Sequence, residues 1–176
     1  MDTEVRLAEL ERRLQAVEDK DEIRELAARY CVVIDDHDHD ALRAMFTDDA
    51  RFHSANGLMD GQGIDGVMEV LSGRWDNIAM SYHVTHGHTI ELDPNDPDRA
   101  TGVAASHAEV LRGGKPMRSA LLYDDVYRRV DGRWRFAERK LSFYYYLEVE
   151  TFADDLMSGK PLNIDGNARL ADLPRL

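Results

Sequence analysis

The sequence holds a single cysteine, Cys31, among 176 residues, so no disulfide can form within the chain. That composition suits a reducing compartment. No apolar run approaches the roughly 20 residues needed to cross a bilayer, and no signal-type apolar stretch follows the first residues. A cytoplasmic location is the expectation. Basic residues are also scarce, with 22 Lys and Arg against 34 Asp and Glu and a net charge of -12. The basic group Arg128, Arg129, Arg133 and Arg135 straddles a turn and is too short to act as a patch. Nucleic acid and anionic membrane surfaces are therefore excluded as expected partners. Neither internal repeats nor low-complexity stretches appear. What remains, 43% hydrophobic and 32% charged, is ordinary for one globular domain large enough to bury a core.

Between Asp21 and Asp40, the apolar residues Ile23, Leu26, Ala27, Tyr30, Cys31 and Ile34 recur at i, i+3, i+4, i+7, as on one buried helical face. Cys31 reads as a small core residue on that face. Asp35 follows directly, which allows its carboxylate to point inward. Asp36 to Asp40 read as a solvated segment, with Asp38 or Asp40 capping a short helix from Ala41 to Phe46. Upstream, Leu7, Leu10, Leu14 and Val17 form a heptad-like seam between Glu4 and Glu18, too short for a coiled coil by itself. Asp19 and Glu22 stand at capping-box spacing, and a helix break is expected there.

Ala50 to Ser54 alternates as a short strand, Asn56-Gly57 signals a turn, and Ile64, Val67, Met68 and Leu71 have helical spacing. The second half changes period. Strands are expected over Ile78–Leu92, Ala100–Leu111, Arg118–Val130 and Trp134–Glu148, separated by Pro94-Asn95-Asp96-Pro97, Gly113-Gly114 and Asp131-Gly132. Strands this long must twist and curl. Thr151 to Met157 reads as a last helix. Helices first and a curved antiparallel meander after them imply an α+β fold with helices lidding one sheet face over a pocket. The expected organisation is a helical extension over 1–18, an α+β domain over 19–159 and a tail over 160–176.

Seven histidines are present, densest in Ser81-Tyr82-His83-Val84-Thr85-His86-Gly87-His88. Strict alternation would put His86 and His88 on one face and His83 on the other. The pairs His37-x-His39 and His86-x-His88 each supply two ligands, short of the three or four that zinc requires, so no metal is expected. Asp35 and His83 are candidates for a dyad, in which a carboxylate holds an imidazole in one tautomer for proton transfer. Spacing alone does not bring them together.

The run Glu22-Ile23-Arg24-Glu25-Leu26-Ala27-Ala28-Arg29-Tyr30 through Ile34-Asp35 resembles the first helix of SnoaL-like proteins, of the nuclear-transport-factor-2-like superfamily. Leu42 to Ala50, Tyr123 to Arg129, and Asp131-Gly132-Arg133-Trp134 are similar to that family too. The resemblance spans roughly Val17 to Phe143. It implies a cone-shaped, curved mixed or antiparallel sheet. It also implies kinship with bile acid 7α-dehydratase, scytalone dehydratase and hexachlorocyclohexane dehydrochlorinase, which eliminate water or HCl without a cofactor. On that basis Asp35, His83 and Tyr30 are the expected catalytic residues, and no cofactor is expected. A pocket arginine from the final strand falls on Arg139 by one family pattern. By another it falls in the run Phe143-Tyr144-Tyr145-Tyr146, where Tyr145 is the candidate donor. Phe52 and Trp75 are expected to contact substrate, with Met68, Val103 and Leu122 as further pocket candidates. The expected partner is a small hydrophobic cyclic substrate, and the expected assembly is a homotrimer or homodimer. The competing readings are a ketosteroid-isomerase-like enzyme with a carboxylate base, a polyketide-cyclase-like enzyme, and a non-catalytic ligand-binding or scaffolding module.

Overall fold

A computed structural model describes residues 3–174. Its first element, α1 (Thr3–Asp35), is one helix of 33 residues. The break expected near Asp19 does not occur, because Asp19 and Glu22 are used elsewhere. Asp19 is buried, and its Oδ1 takes an ion pair from Arg129 at 2.5 Å and a hydrogen bond from Trp134 Nε1 at 3.4 Å. Glu22 Oε1 accepts the Trp134 amide at 3.0 Å. Both acids thus hold the turn between the last two strands against the helix instead of capping a new one. The C-terminal half of α1 buries Ile23, Ala27, Tyr30, Cys31 and Ile34 as the periodicity predicts, while Leu7, Leu10, Leu14 and Val17 stay at least half exposed.

After α1 the chain turns at His37, whose φ of 56° ends the helix in the left-handed region. Asp38 caps α2 (His39–Ala44) by accepting the Ala41 amide at 3.0 Å. Phe46, expected in that helix, instead opens strand β1 (Phe46–Ser54), since Met45 already closes α2. Next come β2 (Asp60–Gln62), which the sequence reading did not include, and α3 (Gly63–Ser72). Gly61 is where β2 meets α3 closely: a Cβ there would lie 2.4 Å from the Gly66 carbonyl oxygen, so only glycine fits.

A single 3-10 turn, Trp75–Asn77, leads into the long strands β3 (Ile78–Leu92), β4 (Arg99–Arg112), β5 (Lys115–Val130) and β6 (Arg133–Glu148). The tight turns fall where glycine and aspartate allow positive φ, at Gly113-Gly114 and Asp131-Gly132. A short α4 (Phe152–Met157) follows. The sheet order is β2-β1-β6-β5-β4-β3, antiparallel throughout except that β1 runs parallel to β6. The α+β architecture is therefore a mixed sheet, curved and unclosed, with α1 and α3 on its inner face. Residues 160–174 add no helix. They lie along β6, with Leu162 and Leu173 buried and Leu162 bridging Tyr146. Among the described residues no helix is long and apolar enough to cross a membrane.

Candidate active site

The inner face of the sheet, α1 and α3 enclose a cavity of about 130 Å³, close to the volume that holds one aromatic ring. Its walls are largely apolar, with Ile34, Phe52, Leu71, Trp75, Leu121 and Phe143 among them. His83 and Ser81 reach it from β3, and Tyr30 from α1.

Asp35, the last residue of α1, meets His83 there: Oδ1 lies 2.6 Å from His83 Nδ1. The carboxylate accepts two further hydrogen bonds, from Ser81 Oγ to Oδ1 and from the His83 amide to Oδ2, both 2.7 Å. Burial and the negative end of the helix dipole both oppose a charge at this position. The hydrogen bonds from the His83 ring, the His83 amide and Ser81 outweigh them and hold the Asp35 carboxyl below its ordinary range. An ionised carboxylate only accepts, so Nδ1 of His83 carries the ring proton and Nε2 is left as a base. No described residue bonds Nε2. The sequence reading missed Ser81, although its place two residues before His83 on one strand face was a usable signal.

A stability consequence follows for Asp35. Its folded-state value lies below the ordinary 3.8, so its contribution is fully present above that pH and is lost as pH falls through the lower, folded-state value. The wild-type advantage over Asp35→Asn in urea unfolding should accordingly shrink below about pH 4. An advantage that persists unchanged at pH 2.5 would contradict this.

Strict alternation fails on β3. The pairing with β4 shifts between Thr85 and His88, a bulge containing His86 and Gly87. His83, Thr85 and His88 consequently all face inward, and His86 turns out. Thr85 Oγ1 lies 3.2 Å from the buried Cys31 Sγ, and His88 Nε2 lies 3.1 Å from Tyr127 Oη. His86 instead meets His107 at 2.8 Å on the outer face. A second bulge does the same on β6. Pairing shifts between Ala120 and Leu121, so Phe143 and Tyr146 both line the cavity while Tyr145 stands on the outer face, edge-on to Phe152. Tyr145 is thus not a wall of this cavity, and Tyr146 takes its place.

Tyr30 is buried, its ring edge-on to Phe46, Tyr123 and Phe136. Burial pushes its phenol up to about 12 against the pull of Arg139, so it is a proton donor at neutral pH. Arg139 lies behind Tyr30 and does not line the cavity. Its guanidinium sits 3.9–4.3 Å from the Tyr30, Tyr123 and Phe136 ring centroids and donates twice to Asp125, at 2.9 and 2.8 Å. Burial alone would lower Arg139, but the Asp125 carboxylate outweighs it and holds it well above the ordinary range. Tyr127 donates to the same carboxylate at 2.7 Å and accepts from His88.

Phe52 and Trp75 line the cavity, and Trp75 is stacked on His37 at 4.8 Å, which gives that histidine a packing role. Met68 is buried in the core without reaching the cavity. Val103 and Leu122 alternate onto the outer face, between the inward residues of β4 and β5. Arg74 and Arg112, at the cavity's other end, were not anticipated.

Residues 15–140 match the model of the SnoaL-like domain. No curated protein matches the sequence. Among solved structures, the chain is similar to hexachlorocyclohexane dehydrochlorinase LinA-type3 from Novosphingobium barchaimii. Identity is 19%, with 77% of this chain and 93% of that one covered and a TM-score of 0.68. A protein of Novosphingobium aromaticivorans provisionally assigned as a scytalone dehydratase gives 19%, 76% and 89%, with a TM-score of 0.70. A Mycobacterium tuberculosis protein of unknown function gives 27%, 74% and 73%, with a TM-score of 0.61. These likenesses carry the fold.

Proposed function

The chain belongs to the SnoaL-like domain family, and on that premise we propose that it is a cofactor-independent lyase of the dehydratase type, acting on a small hydrophobic cyclic molecule. The observation that carries the proposal is the Asp35–His83 contact of 2.6 Å at the wall of an apolar, ring-sized cavity. His83 Nε2 removes a proton from a carbon beside the leaving group, and the resulting imidazolium is held by Asp35. The same proton passes to the departing oxygen, directly or by way of the Tyr30 phenol, which gives up its own proton and regains one from the imidazolium, so that a C–H and a C–O bond break, a C=C bond forms and water leaves. Two structural neighbours named for dehydrochlorination and dehydration support this reading over a bare binding role.

The wall residues exclude water, which strengthens every charge–dipole contact made by the reacting atoms. Tyr30, uncharged at neutral pH, donates to the substrate oxygen. Arg139 acts through Tyr30 as a positioning residue, since its guanidinium lies against the Tyr30 ring and is held there by two hydrogen bonds to Asp125. Tyr30→Phe should lower kcat/KM about tenfold to a hundredfold, the range of one buried hydrogen bond, with little change in thermal unfolding. The pH profile of kcat/KM tests the choice of base. An acid limb where imidazoles titrate supports His83, and a limb in the carboxylate range sinks it in favour of an isomerase-like carboxylate base.

A further inference from the structure

The cavity wall carries two arginines and no Asp or Glu, in a chain whose acids outnumber its bases 34 to 22. Arg74 follows α3, and Arg112 ends β4; both are only partly exposed. Neither has a carboxylate partner among the described residues. Arg74 Nη1 points at the Met59 thioether, 2.8 Å away, a poor acceptor for a cation. Arg112 Nη1 donates to the Ile164 carbonyl at 2.9 Å, which brings the C-terminal segment over this end of the cavity. Both line the same cavity, and Asn77 ties their segments together, donating to the Arg74 carbonyl at 3.1 Å and accepting from the Gly113 amide at 2.8 Å; burial lowers Arg74 from its ordinary value, and the charge of Arg112 lowers it further. Two like charges brought together against an apolar wall and left without a counter-ion are costly, and an anion between them removes the cost.

Register gives the span. His83 pairs with Ala108 on β4, and Arg112 lies four residues further along the same strand, about 13 Å at strand rise. Val110, between them, faces the cavity. We propose that Arg74 and Arg112 receive an anionic oxygen head group of the substrate, whose ring body then lies along Val110 with its reacting carbon toward His83. This rests on the cavity being the substrate site, and it deepens that reading to an apolar ring acid or its phosphate counterpart.

The test needs no turnover. Binding of 2-naphthoate, 2-naphthyl phosphate and the uncharged 2-naphthalenemethanol is measured by calorimetry on the full chain, at low and high salt. Wild type should bind at least one of the anions tenfold or more tighter than the alcohol, and raising salt should erode that advantage. Arg74→Met and Arg112→Met should each reduce the advantage about tenfold while the alcohol's affinity stays within about twofold, which also reports that the cavity is intact. Arg112→Lys should keep part of it. Whichever anion binds better identifies the head group as carboxylate or phosphate. Equal affinities for anion and alcohol, no binding of any probe, or an advantage that survives both Met variants would overturn the proposal. These affinities are independent of the dyad: His83→Ala can retain turnover, sinking the lyase reading, while the charge preference stands, and the reverse is equally readable.

Discussion

His83→Ala is expected to lower kcat/KM by about 10²–10⁴-fold, the usual contribution of one positioned general base. That corresponds to roughly 3–5 kcal/mol of lost transition-state stabilisation at 1.36 kcal/mol per decade. The variant is a clean one. Asp35 keeps two of its three donors, Ser81 Oγ and the backbone amide of residue 83, so the end of α1 stays anchored to β3. Asp35→Asn should cost a similar factor for another reason. An amide cannot stabilise an imidazolium, and its NH₂ competes for Nδ1, favouring the tautomer in which Nε2 carries the proton and cannot accept one. The two losses should not add, because each disables the same base. Steady-state kinetics of both single variants and the double variant check this. Full turnover in either single variant would remove the dyad from the chemistry, and a multiplicative double variant would mean that the two residues act separately.

The second large effect is on stability. Asp125 and Arg139 are both fully buried and joined by two hydrogen bonds. Asp125→Asn leaves a guanidinium enclosed among Tyr30, Tyr123 and Phe136 with no counter-charge, one amide oxygen and the ring faces being what remains to compensate it. Removing one partner of such a pair costs about 3–5 kcal/mol. For a chain of this size that is a fall in Tm of roughly 6–20 °C. Asp125→Leu combined with Arg139→Met removes both charges, and replacement of a buried pair by apolar groups is commonly near neutral. Most of the loss should therefore be recovered, with Tyr127 keeping its contact to His88. Thermal melts of the single and double variants decide it. A double variant as unstable as the single would show that shape, not charge compensation, dominates here. Recovered stability with depressed turnover would separate the pair's structural role from its positioning of Tyr30.

The residues that period and turn chemistry control were legible beforehand. The buried face Ile23 to Ile34, the four long strands and the glycine turns between them depend on neighbours a few residues away, and each lies where local preference puts it. Facing departed from simple alternation at two bulges that matter for the cavity. One extra residue at His86-Gly87 and another near Tyr144 reverse the alternation, so His88 joins His83 inside and Tyr146 displaces Tyr145 at the cavity. Nothing local announces a bulge, because it is set by how two strands must bend together over the helix. Asp19 and Glu22 were misread for a related reason: capping-box spacing is local, but Trp134 and Arg129 reach them from over a hundred residues away.

By itself the sequence determined the α+β class, the absence of a disulfide within the chain, the net negative charge and the carboxylate placed directly after an apolar helical face. Those follow from composition and from periods of 2 and 3.6, which each residue carries with it. Only the tertiary structure decided that Asp35 reaches His83, that Ser81 and a backbone amide help hold its carboxyl low, and that Arg139 lies behind Tyr30 while Arg74 and Arg112 line the cavity's far end. These are encounters between segments some 40 to 110 residues apart. The path of α1 across a curved sheet determines them, and that path is a property of the packed whole.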